Sequence, residues 1–180
     1  MLELFCKYKS MKVSFITTVY NEENTIVQLL DSLSKQSRMP DEIIIVDGMS
    51  TDGTVDKIKN YNSKFKIIQK KGNRAVGRNE AIKSSSGDVI VCSDAGCLLD
   101  KDWVKNIIEP FKNKEINVVA GYYKGLPQNI FQKCIVPYVL MMPDRVHPKN
   151  FLPATRSIAF RKSIWEKVGG FPEKFSHNED

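Results

Sequence analysis

The sequence predicts an α/β protein with a mostly parallel central sheet flanked by helices. Three observations predict it. Short β-branched apolar runs alternate with segments whose apolar residues recur at helical spacing, the pattern of βαβ units. Acidic residues fall where predicted strands end: Asp47 closes the run 42–47, and Asp94 follows the run 88–93. In an open α/β sheet, ligands bind outside the carboxyl ends of the strands, so carboxylates placed there suit chemistry better than core packing. The 180 residues are enough for one domain with a sizeable core.

The elements follow in order. Residues 13–20 (VSFITTVY) are β-branched and apolar, a buried strand. Ile26, Leu29, Leu30 and Leu33 put a helix over 22–35, with Asn21 as its cap and Glu22 and Glu23 in its first turn. Residues 42–47 form the second strand, 48–53 a tight loop and 54–61 a short helix. Ser50 and Asp52 are best read as caps of that helix. A third strand is expected over 65–69, a helix over 74–84 and a fourth strand over 88–93. A helix over 101–111, capped by Asp100, and a fifth strand over 117–123 complete the regular pattern. The apolar stretch 130–142 reads first as a core helix, with an acceptor-pocket wall and an interfacial segment as alternatives. A short strand over 157–160 precedes a helix over 162–168 that Gly169 and Gly170 end.

Composition narrows the function classes. The chain is 42% hydrophobic and 27% charged, with a net charge of +6 and a pI near 9.1. Lysines are dispersed, with no run of five or more basic residues, so nucleic-acid binding has little support. The basic charge suits an anionic substrate or membrane surface. Cys6, Cys92, Cys97 and Cys134 form no CxxC pair and read as free thiols of a cytosolic compartment. No stretch reaches the roughly 20 apolar residues of a membrane span. The polar end at Asp180 reads as a truncation within a longer protein.

The first strand-to-helix turn, 18–23, lacks the glycines of a dinucleotide fingerprint, and no Walker-type phosphate loop occurs. A nucleotide would be held otherwise. Asp47 could accept from a base N–H or a ribose hydroxyl. Asp94, with backbone and diphosphate oxygens, could hold Mg²⁺ or Mn²⁺. Arg74 and Arg78 by default solvate a helix face and alternatively meet phosphate. Asn79 is a candidate to fix the loop carrying the site.

Four segments then carry a resemblance: TTVYNEENTI, IIIVDGMSTDGT, GRNEAIKSSSGDVIVCSDAGC and RSIAFRKSIWEKVGGFPEKFSHNED. In order and spacing they resemble the inverting family 2 glycosyltransferases, over about 13–180. The resemblance implies the GT-A nucleotide-diphospho-sugar transferase fold, with a nucleotide-sugar-binding half over 13–123, an acceptor-side half over 124–180 and an N-terminal extension over 1–12. It implies transfer from a nucleoside diphosphate-sugar, a UDP-sugar foremost, with a divalent metal. By position, Thr18, Tyr20 and Glu22 would line the base pocket and Asp47 would contact base or ribose. Arg78 would meet the donor, Asp94 would be the first acid of the DXD motif near ribose and metal, and Asp180 would be the catalytic base.

Gly96 departs from that pattern by standing where DXD places its second acid, which leaves His147 and His177 as candidates to complete a metal shell. The acceptor implied is a glycan, a lipid carrier or a protein. The stretch 130–142 and the basic charge favour a membrane-proximal acceptor, with the chain cytoplasmic or peripheral to the inner face of the membrane. Two alternatives stand beside this reading: a non-catalytic nucleotide-sugar-binding module, which Gly96 favours, and a nucleotidyltransferase, which the glycine-poor first loop disfavours.

Overall fold

The computed structural model describes residues 11–62, 64–147, 151 and 154–175. Along them run β1 (Val13–Val19), α1 (Ile26–Ser34), β2 (Glu42–Asp47), α2 (Thr54–Tyr61), β3 (Lys66–Gln69), α3 (Arg74–Lys83), β4 (Val89–Cys92), α4 (Trp103–Ile108), β5 (Val118–Ala120), α5 (Ile130–Val139), β6 (Ile158–Arg161) and α6 (Lys162–Val168). The strands form one sheet in the order β3-β2-β1-β4-β6-β5. Strands β3, β2, β1 and β4 are parallel, and β6 lies antiparallel between β4 and β5.

The sheet's central strands are apolar on both faces because helices cover both. Val13, Phe15 and Val19 of β1 pack with Ile26, Leu29, Leu30 and Leu33 of α1, with Ile58 of α2 and with Val104 of α4. Ile16, Ile44 and Val46 pack on the other face with Ala81 and Ile82 of α3, and with Phe160 of β6. Each fully buried Leu or Ile contributes roughly 1.5–3 kcal/mol relative to an exposed one.

Several elements differ from expectation. α1 starts at Ile26, four residues late, and Asn21 ahead of it takes a left-handed conformation (φ 53°). A turn closed by Thr25 N–H donating to the Glu22 carbonyl replaces the first helical turn. Ser50 does not cap α2; its hydroxyl accepts from Asn21 N–H, while Asp52 accepts from Thr54 N–H. α4 is shorter than 101–111: residues Glu109–Lys112 form a 3-10 turn, since Pro110 has no N–H to continue an α-helix. Asp100 accepts from Asp102 N–H, one residue ahead of the helix. β5 ends at Ala120.

The core reading of 130–142 is corrected. α5 forms over Ile130–Val139, but none of its residues is buried. Phe131 and Tyr138 are 73% and 89% exposed, so its broad apolar side faces away from the protein. Its apolar residues surround most of the helix, and nothing in that pattern selects an inward side.

Candidate active site

The topology itself makes a crevice. From β1 the chain steps outward to β2 and β3, then returns to the other side of β1 as β4. The connections leaving β1 and β4 therefore diverge at the carboxyl ends of adjacent strands, the switch point where open sheets bind ligands.

The loops at this end are bound to one another. Asn21 Oδ1 accepts from Thr51 N–H, Thr54 Oγ1 accepts from Glu22 N–H, and Asp52 accepts from Glu23 N–H. This fixes the loops after β1 and β2 as one rim. Beneath it lies a cleft of about 320 Å³. Thr18, Tyr20 and Glu22 line one side, and Gly48, Lys70, Asn73 and Arg74 line another. The structure thus brings the three predicted base-pocket residues together. Tyr20 is 61% exposed, leaving its ring open for stacking. α3 points its amino end into the cleft, capped by Asn73 Oδ1 accepting from Val76 N–H. The helix end, Lys70 and Arg74 make this wall electropositive.

Asp47 stands at the end of β2, wholly buried. Its carboxylate accepts from Ser50 N–H at 3.1 and 3.2 Å and from the Gln69 side chain at 3.2 Å. It holds the turn that carries Gly48 to the cleft.

Asp94 lies two residues beyond β4, between two guanidinium groups. Arg78 Nη2 is 3.3 Å from Oδ1, and Arg156 Nε is 3.8 Å from Oδ2. The expectation that Arg78 solvates a helix face is corrected: it is 2% exposed. It also donates to Thr155 Oγ1 and lies over the Phe171 ring at 5.8 Å. Arg156 is half exposed and stacks over Tyr123 at 5.4 Å. Nearby, burial pushes the Cys97 thiol up, with Asp94 adding to the shift, so the thiol stays protonated.

Asn79, the candidate loop anchor, is buried under the segment that follows α6. Its Nδ2 donates to the Phe171 carbonyl and to Glu173, and its Oδ1 accepts from Phe171 N–H and Trp165 Nε1. Asn73 Nδ2 donates to the carbonyls of Glu173 and Phe175. Asn79 of α3 and its N-cap Asn73 thereby hold residues 171–175 against this helix. Asp180 and His177 lie outside the described residues, as does Cys6.

Residues 14–167 match the sequence profile described as Glycosyl transferase family 2. The chain belongs to this family. The O-antigen chain rhamnosyltransferase of Salmonella typhimurium is 29% identical over 197 aligned positions, covering 94% of this chain and 59% of that protein. The poly(ribitol-phosphate) beta-N-acetylglucosaminyltransferase TarS of Staphylococcus aureus is 29% identical over 148 positions, covering 76% of this chain and 26% of that protein. The crystal structure of TarS residues 1–349 with UDP-GlcNAc superimposes with a TM-score of 0.68 at 25% identity, over 94% of this chain and 51% of that one. A mannosyltransferase from Pyrobaculum calidifontis, in complex with GDP-Man and Mn²⁺, shares the fold at a TM-score of 0.71 and 22% identity, over 94% of this chain and 50% of that one. The chain thus spans roughly a quarter to three fifths of these relatives. The fold is that of the GT-A glycosyltransferases, as expected.

Among the described residues, the groups around Asp94 do not fit the divalent metal implied for family 2; His177 lies outside them. Mg²⁺ and Mn²⁺ need several oxygen ligands. Asp94 already faces a cation on each oxygen. Position 96 offers no carboxylate, and a side chain there would meet no atom within 4 Å. His147 joins no cluster of three acidic, histidine or cysteine side chains among the described residues.

Sequence reasoning missed Lys70, Asn73, Gly77, Thr155 and Arg156. The first two follow the third predicted strand at its carboxyl end, the same signal that marked Asp47 and Asp94. Arg156 carried no such signal. It reaches Asp94 because β6 runs antiparallel to β4, pairing Ile158 with Cys92 and returning residues 155–157 to the end of β4.

Proposed function

We propose that this chain is the donor-binding and catalytic part of an inverting glycosyltransferase, which moves a sugar from a nucleoside diphosphate-sugar to an acceptor hydroxyl. The observation that carries this reading is the electropositive cleft at the carboxyl ends of β1 and β2, walled by α3, the helix that also carries the Arg78 paired with Asp94. Thr18, Tyr20 and Glu22 take the nucleoside from the cleft. Asp47 holds the β2 turn around it and offers its carboxylate to base or ribose when the Gln69 contact yields. Asp94 sits between nucleoside and reacting centre. The TarS complex with UDP-GlcNAc supports UDP as the nucleotide. The O-antigen and poly(ribitol-phosphate) relatives support a growing surface polysaccharide as acceptor.

The acceptor oxygen attacks the anomeric carbon on the face opposite the diphosphate. The bond between that carbon and the diphosphate oxygen breaks, and its electron pair leaves with the diphosphate. The acceptor proton passes to a carboxylate, a role we assign to Asp180, where a positioned base contributes roughly 10²–10⁴-fold. One displacement inverts the centre without a covalent enzyme intermediate.

No helix among the described residues is long and apolar enough to cross a membrane. The exposed apolar side of α5, carrying Ile130, Phe131, Tyr138 and Val139, supports an acceptor presented at a membrane surface. Co-flotation with anionic vesicles is the expected result; vesicles that float free of protein would remove this part of the reading.

The test is release of nucleoside diphosphate from UDP-, GDP- and dTDP-sugars, with polysaccharide acceptors supplied. Turnover of one donor, reduced about 10²-fold or more in Asp180→Asn and Asp94→Ala, is expected. Equal turnover by Asp180→Asn would end its assignment as base. Donor binding with no turnover of any donor would replace the enzyme by a binding module.

A further inference from the structure

We infer that Arg156 takes the place of the divalent cation: the donor's diphosphate is held and neutralised by a guanidinium that Asp94 positions, so nucleotide binding is independent of divalent metal. This rests on the donor reading above and goes beyond it by naming the group that meets the leaving diphosphate.

Three observations carry it. First, both carboxylate oxygens of Asp94 face arginine nitrogens, at 3.3 and 3.8 Å. A dication brought to that carboxylate would stand within a few ångströms of two guanidinium charges, and like charges at that separation repel strongly outside bulk water. Arg78 cannot swing clear, because it is buried, bonded to Thr155 and stacked on Phe171. Second, the acid that would compensate is missing at Gly96, although the space for one is open.

Third, Arg156 has the properties the site needs. Its guanidinium is half exposed at the switch point, held in orientation by Tyr123 on one side and Asp94 on the other. At 3.8 Å its Nε approaches Asp94 without a hydrogen bond, and the group donates none to the described residues. A planar fork of five donors matches two phosphate oxygens at once, which an ammonium cannot do. Backbone contact fixes the loop as well, since Ser93 Oγ donates to the Arg156 carbonyl. During transfer the electron pair of the broken bond settles on the diphosphate, and Arg156 neutralises that added charge while the acceptor proton goes to the general base.

Calorimetric titration of the chain with UDP, GDP and dTDP, in EDTA and again in Mn²⁺, tests the inference. The expected result is one nucleotide bound with the same affinity within about threefold in both buffers, weakened about tenfold or more by Arg156→Ala, since a charge-assisted contact of this kind is lost. Arg156→Lys should recover part of that loss, and both variants should keep the parent's circular dichroism spectrum. Binding that requires Mn²⁺, or that Arg156→Ala leaves intact, would overturn the inference while the donor reading stands. Binding of no nucleotide in either buffer by the folded chain would overturn both.

Discussion

At the scale of single residues, Gly77 shows how packing and ligand space share one position. It lies on α3 against β1, and a Cβ there would fall 2.8 Å from Thr18 Cγ2. The helix can approach the strand this closely only because the side chain is absent. Thr18 is also a cleft residue, so extra bulk at 77 acts on fold and site together. Gly77→Ala is expected to cost about 1–3 kcal/mol, as overpacking does, and to weaken nucleotide binding as well. Urea denaturation and calorimetry on one sample check both effects. A residue of this kind is hard to read from sequence, where a helical glycine signals only lowered helix propensity. Asp47 and Asp94 were legible because the ends of apolar runs locate them. Their immediate partners were not: the arginines around Asp94 come from α3 and from the loop before β6, 16 and 62 residues away along the chain.

At the scale of elements, α3 organises the site. Its amino end faces the cleft, Arg78 fixes Asp94, and Asn73 and Asn79 hold the segment after α6. Asn79 is nearly buried and uses both ends of its amide four times, so Asn79→Ala leaves Trp165 Nε1, Phe171 N–H and the Phe171 carbonyl without this partner. Loss of about 2–3 kcal/mol in urea unfolding is expected. Proteolysis should speed up selectively between Phe171 and Asp180; cleavage unchanged in that segment would show that Asn79 does not hold it. Element existence was legible almost throughout, because apolar periodicity sets it. α1 begins late, after a loop whose bonds to residues 50–54 leave no local signature; α4 begins after a local turn in which Asp100 accepts from Asp102 N–H. α5 was seen as an apolar segment but placed on the wrong side of the surface. The antiparallel entry of β6 was invisible because the connection from β5 is long, and no short crossover dictates its direction.

At the scale of the whole molecule, Asp41 and Glu42 tie the amino ends of three parallel strands and turns together. Asp41 accepts from Val13 N–H and Arg38, and Glu42 accepts from Ser14 and from both the amide and hydroxyl of Ser86. Burial raises both carboxyls, but these donors outweigh it and hold each below its ordinary value. Groups depressed in the folded state stabilise it above their unfolded values of about 4, and that stabilisation is lost as pH falls through the lower folded values. The urea midpoint is therefore expected to hold level from about pH 7 to 5 and to drop below about pH 4. Glu42→Gln should lower the neutral plateau and shallow the acid drop. A parent midpoint that stays level to pH 3 would show that these carboxylates carry no linkage.

The central claim is that the donor nucleotide occupies the carboxyl ends of β1, β2 and β4 beside α3. Amide chemical-shift mapping by NMR during titration with UDP tests it most directly. Shifts concentrated at Thr18, Tyr20, Gly48, Lys70, Asp94 and Arg156 are the predicted result. Shifts that instead gather on α5 or α6, with those amides unmoved, would contradict it.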